Sequence, residues 1–189
     1  MSVGFAVPSI PPRRALLERA VKSILGQSHP VDQISIAIDH IKAGAGPTRN
    51  RAKNAIETSW TCFLDDDDEV MPNHVQHLLY VADATGADVV APWFQVIGGQ
   101  DPFPALRGLE WNADTPHSFP ITCLVRTELA QSIDFDDPMD ESAGAAGEDF
   151  HWWAALGRAG AKVVTIPEAT WIWHHDSHNT AGLPSRWSI

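Results

Sequence analysis

The stretch Phe63-Leu64-Asp65-Asp66-Asp67-Asp68-Glu69-Val70 sets four aspartates and a glutamate directly after an apolar run. Consecutive carboxylates repel one another, and a fold that gathers them at a strand end does so to receive a cation. An oxygen-only donor set suits a hard ion, Mg²⁺ or Mn²⁺, rather than zinc. The competing reading is a solvated acidic turn. Trp60-Thr61-Cys62-Phe63-Leu64 favours the metal, because it reads as a buried strand and ligands of open α/β sheets collect beyond strand carboxyl ends. A calcium loop starting at Asp65 requires glycine and glutamate where the chain has Val70 and Gln76, which excludes it. An Asp-x-Asp phosphatase nucleophile fits the run itself, but nothing else in the chain supports it.

Two further groups have chemistry in them. Gly44-Ala45-Gly46-Pro47 is a turn that feeds a helix, with Thr48-Arg49-Asn50-Arg51 in its first turns. Arginines oppose the macrodipole there but suit a bound anion, since backbone N–H groups and guanidinium forks both recognise phosphate. Surface arginines that only solubilise the helix are the other reading. Near the end, His174-His175-Asp176-Ser177-His178-Asn179 is crowded with metal-ligating types.

The elements that position these groups follow from periodicity. Val3–Ser9 reads as a first strand, stopped by Pro11 and Pro12. Residues 13–25 read as a helix, with Leu16, Leu17, Ala20, Val21, Ile24 and Leu25 on one stripe. Ile34–Ile38 is a second strand with Asp39 at its carboxyl end, and strand, helix, strand implies a parallel unit. The strand into the aspartates is the third, residues 72–85 a helix, and 88–96 a fourth strand. Residues 97–117 hold Gly98, Gly99, Pro102, Pro104, Gly108 and Pro116 and read as an irregular excursion. Ile121–Val125 is a strand and 127–132 a short helix. The acidic then small segment 134–147 has little to bury and reads as a mobile loop that could serve as a lid. Glu148 opens a helix, and 162–166 and 170–173 read as two closing strands.

The chain has 189 residues, which suits one domain spanning 1–189. With 24 acidic against 13 basic residues its formal charge is −11, which disfavours a nucleic-acid backbone or an anionic membrane as partner. The sequence shows neither a secretory signal nor a run long enough to span a membrane, so a soluble, cytoplasmic protein is expected. Cys62 and Cys123 lie in apolar runs and read as small hydrophobes of a reducing compartment, with a disulfide left open.

In order, these signals resemble the GT-A glycosyltransferases, and among them the inverting family 2 type. The resemblance rests on Ser23-Ile24-Leu25-Gly26-Gln27, Thr48-Arg49-Asn50, Phe63-Leu64-Asp65-Asp66-Asp67-Asp68 with Pro72, Gly147-Glu148-Asp149, and an aromatic strand leading to histidine and Asn179-Thr180. It implies an α/β fold with a mostly parallel, Rossmann-like sheet flanked by helices, and transfer of a sugar from a nucleotide-diphosphate sugar to an acceptor hydroxyl. It implies a donor site at Pro8, Ser9, Asp39, Arg49, Asn50, Asp65 and Asp66. A divalent ion, Mn²⁺ or Mg²⁺, would be held by Asp67 with Asp65, Asp68 as an alternative, and His175, for which His174 or His178 could substitute. Asp149 would be the general base and Glu148 a second choice or acceptor contact. The chain departs from the family at His40-Ile41-Lys42 and Ser9-Ile10-Pro11, where the nucleotide base would sit, which leaves the donor nucleotide open between uridine, guanosine and another.

Each implied role has a plainer competitor. Asp39 could be only a turn former, and Glu148 and Asp149 only dipole-stabilising acids of a first helical turn. A nucleotidyltransferase or phosphohydrolase could use the same acids, but Ser9-Ile10-Pro11-Pro12-Arg13-Arg14 replaces the glycine-rich phosphate loop expected of a nucleotidyltransferase. A carbohydrate- or metal-binding module could use the eight tryptophans as sugar platforms. Against it, Trp60, Trp153 and Trp171 sit in apolar patterns that point to the core.

Overall fold

The computed structural model describes residues 1–112, 120–135 and 147–175. Seven strands form one sheet: β1 (Val3–Ser9), β2 (Gln33–Ile38), β3 (Trp60–Phe63), β4 (Glu69–Val70), β5 (Val89–Ile97), β6 (Leu124–Arg126) and β7 (Val163–His174). The helices are α1 (Arg14–Leu25), α2 (Ala45–Asn54), α3 (His74–Thr85), α4 (Thr127–Ser132) and α5 (Glu148–Arg158). Spatial order is β2-β1-β3-β6-β5-β7-β4. The α/β architecture is as expected, and the sheet is mixed. Strand β1 pairs parallel with β2 and β3, and β5 with β7. Strand β6 enters antiparallel between β3 and β5, and β4 pairs antiparallel with β7.

Every residue of β1 is buried, as a continuous apolar run inside a parallel unit must be. Helix α1 buries Ala20 and Ile24 against the sheet, while Leu25, assigned to the same stripe by spacing, is exposed. The core holds Trp60, Trp152, Trp153 and Trp171, so the three tryptophans expected inside are inside. Cys62 and Cys123 are buried free thiols, and burial raises both thiol pKa values.

Two features differ from the reading of the sequence. The two closing strands are one, β7, whose register against β5 shifts between Pro92 and Phe94. Pro167 and Glu168 look like a break but fall in this bulge, where a strand tolerates residues that cannot join the ladder. Strand β4 was unforeseen because it begins inside the acidic run and has two residues. In the 97–117 excursion, Pro104–Leu106 forms a 3₁₀ turn; residues 113–117 lie outside the described residues, as do 136–146 of the expected lid. Among the described residues no helix is long and apolar enough to cross a membrane.

Candidate active site

Strand β1 lies between β2 and β3, so the chain leaves it in one direction and returns on the other side, which opens a crevice at the carboxyl ends of β1 and β3. Residues 65–69 occupy that crevice and are fastened from several directions. Asp66, 3% exposed, accepts from Ser9 Oγ (2.6 Å) at the end of β1 and from Arg13 Nη1 (3.0 Å). Asp67 takes a second bond from Arg13 Nη1 (3.1 Å). Asp68 accepts the backbone N–H of His174 (2.9 Å), and Glu69 stands 2.7 Å from His174 Nε2 and 3.4 Å from Arg19 Nε. Arg19 Nη2 also donates to the carbonyl of Asp67.

The polar end of α1 clamps the chain that leaves the acids. Ser23 Oγ accepts the N–H of Val70, Gln27 Nε2 donates to the carbonyl of Met71, and Gln27 Oε1 accepts the N–H of Val75. That is a physical reason for polar Ser23 and Gln27 beside buried Ile24.

Helix α2 turns a polar face inward. Gly44, at φ 98, precedes its first residue, a backbone conformation suited to glycine. Thr48, Arg49, Ala52 and Lys53 are buried. Arg49 Nη1 donates to Glu148 Oε1 (2.6 Å) and Asp149 Oδ1 (2.9 Å), while Nη2 spans both oxygens of Asp65 (2.9 and 3.1 Å). Its guanidinium lies 5.6 Å from the Phe135 ring centroid. A guanidinium this deep needs such partners, because several kcal/mol of lost hydration must be offset. Asn50 fixes Phe135 through two reciprocal bonds, Nδ2 to its carbonyl and its N–H to Oδ1, both 2.9 Å. Lys53, fully buried, binds Asp134 (3.0 Å). Phe135 in turn stacks on Trp152 of α5, 5.0 Å between centroids.

These contacts account for the site electrostatics. Burial pushes Asp149 up to about 7, against the pull of Arg49 and with Glu148 and Asp65 adding to the rise. Burial and the repulsion of Asp65 push Asp67 up to about 6 and Asp68 well above the carboxylate range. Asp39, by contrast, is held low by the N–H groups of Ala43, Gly44 and Ile41.

The expected site residues divide accordingly. Asp65, Arg49, Glu148 and Asp149 form one cluster, and Ser9, Asp66, Asp67 and Asp68 line the adjoining crevice. Pro8 lies inside β1, paired with Ala37. Asp39 caps its own loop, and Asn50 faces Phe135. The His175 ring is 5.8 Å from that of Trp173, and a side chain at Gly99 would meet it at 3.1 Å. His174 is the histidine that reaches the acids; His178 and the Asn179-Thr180 pair lie outside the described residues. Sequence reading passed over Arg13 and Arg19, whose signal was two arginines within reach of a five-acid run.

For a divalent ion the donor chemistry fits: Asp67 and Asp68 are oxygen donors whose ionised forms burial and Asp65 disfavour, and a bound cation would favour those forms. Among the described residues no three acidic, histidine or cysteine side chains form a metal cage.

Residues 40–127 match the family described as glycosyl transferase family 2. No curated protein sequence matches the chain. Among solved structures, S. aureus TarS 1-349 in complex with UDP-GlcNAc superposes at a TM-score of 0.74 with 16% identity, covering 95% of this chain and 60% of that one. TarS 1-349 in complex with UDP gives 0.72 and 15%, covering 94% and 62%. The chain thus spans about 60% of the length of these TarS chains. The fold is that of the GT-A glycosyltransferases.

Proposed function

We propose that the chain transfers a sugar from a nucleotide-diphosphate sugar to an acceptor hydroxyl, with inversion at the anomeric carbon. The observation that carries this reading is the meeting of Asp65 and Asp149 on one buried guanidinium. It joins the acidic crevice, suited to a diphosphate and its counter-ion, to a carboxylate with a pKa near neutrality. A general base works best when its pKa lies near the operating pH. The TarS structures bound to UDP and UDP-GlcNAc support a uridine nucleotide as the first donor to test.

In the step itself, Asp149 takes the acceptor proton as the acceptor oxygen bonds to the anomeric carbon. The bond from that carbon to the diphosphate oxygen breaks, and the nucleoside diphosphate leaves. Arg49 holds Asp149 toward the crevice and keeps Asp65 in place. Asp67 and Asp68 would hold a divalent cation, which supplies Lewis-acid stabilisation to the leaving diphosphate. His174, hydrogen-bonded at both its backbone and ring to the acids, is better placed than His175 to support that shell.

The experiment is release of UDP from UDP-GlcNAc and related sugar nucleotides over a panel of hydroxyl acceptors, with Mg²⁺, Mn²⁺ or EDTA. Acceptor-dependent release that EDTA abolishes is the expected result. Absence of both nucleotide binding and release across the panel would refute the proposal.

A further inference from the structure

Arg13 has a position that the reaction outlined above does not use. It closes the 3₁₀ turn Pro11–Arg13 that follows β1, where two prolines fix the local φ. Its Nη1 alone makes both carboxylate bonds, to Asp66 and Asp67. Among the described residues Nε and Nη2 make none, and a third of the side chain is exposed. Arg49, with 6% side-chain exposure and both terminal nitrogens engaged, has no such capacity. The crevice joins Asp65, Asp66, Asp67, Asp68 and Glu69 to only a few guanidiniums, so an entering dianion meets net repulsion unless a cation faces it.

Resting on the donor reading above, we infer that Arg13 binds the donor's diphosphate directly, as a cationic ligand in addition to any divalent ion. Asp66 and Asp67 hold one edge of the guanidinium, so its orientation is set before the ligand arrives, which lowers the ordering cost of binding. The free edge offers parallel N–H donors that match phosphate oxygens in a way an ammonium does not.

Calorimetry on the full chain with Mg²⁺ tests this, using UDP and inorganic pyrophosphate as probes against R13A and R13K. Loss of a charge-assisted contact predicts that R13A weakens both probes by about 10- to 100-fold, with R13K intermediate and both variants folded by circular dichroism. Unchanged affinity in R13A overturns the inference. So does tighter binding, which would make Arg13 a mere competitor of the cation. Equal losses in R13A and R13K with a shared drop in melting temperature would assign Arg13 to holding Asp66, and overturn it too. If the unmodified chain binds pyrophosphate but not UDP, the uridine-donor reading fails while pyrophosphate still decides the role of Arg13. If it binds neither, both fail.

Discussion

Replacing Asp67 by asparagine should stabilise the metal-free protein above neutral pH, an outcome opposite to the usual effect of deleting an ion-paired residue. Asp67 is 16% exposed at its side chain, and its pKa rises from 3.8 to about 6 through burial and the repulsion of Asp65 and Asp66, with Arg13 opposing. The folded protein therefore binds this proton more tightly than the unfolded chain. The group's stabilising contribution is fully present below about pH 4 and is lost as pH rises through about 6. At about 1.4 kcal/mol per pH decade, the ionised form costs about 3 kcal/mol in the fold. Asparagine cannot ionise, its carbonyl can still accept from Arg13 Nη1, and Arg13 keeps Asp66. In EDTA the variant should thus exceed the unmodified protein by about 2 to 3 kcal/mol at pH 8, or about 4 to 12 °C in melting temperature for a chain of this size. At pH 4.5 the difference should shrink to about 1 kcal/mol. Urea denaturation at the two pH values measures it. A variant less stable at pH 8, or a difference that does not change with pH, would refute the claim that the crevice is charged beyond its internal compensation.

Asp149→Asn should leave UDP affinity intact by calorimetry while transfer falls by about 10²-fold or more, as for loss of a general base. Because the base acts ionised, transfer by the unmodified protein should rise with pH through about 7, and this acid limb should disappear in the variant's residual rate. Asn50→Ala removes both bonds to Phe135; it should lower stability by about 2 to 4 kcal/mol in denaturant unfolding, with UDP affinity unchanged. Burial depresses His74 to about 3, so the ring is neutral at working pH, and Nδ1 has Thr170 Oγ1 at 2.8 Å. Thr170→Val should cost about 1 to 3 kcal/mol by leaving that nitrogen unpaired, read as a lower melting temperature.

Elements that announce themselves by a continuous apolar run, such as β1 and β3, were legible within a residue or so, because burial on both faces leaves no other composition possible. Strand direction was not legible: β6 has the composition of its neighbours, and only its insertion between β3 and β5 makes it antiparallel. Pro167 misled because its missing N–H matters only in a regular ladder, and the bulge opposite Pro92 removes that requirement. In the site, residue types predicted membership better than role. The acidic run read as a place for cations, but Asp66 is occupied by Ser9 and Arg13, and Asp39 by three backbone N–H groups, neither of which spacing reveals. Arg49 read as an anion ligand at a helix start; its actual partners include Glu148 and Asp149, 99 and 100 residues away, a pairing that only the folded chain creates.

That separation has a consequence for the order in which the protein can be completed. During synthesis Asp65 follows Arg49 by 16 residues, so half of the guanidinium finds its partner early. The other half waits for α5, and a guanidinium with one side unpaired stays hydrated rather than buried. The unpaired side of Arg49 therefore remains wet until residues 148 and 149 leave the ribosome and dock. On the proposed reading, closure over Arg49 also brings in Asp149 as the base, so a nascent or prematurely released chain that lacks α5 would have the acidic run without its base. Pairing across so long a loop is also the slower kind.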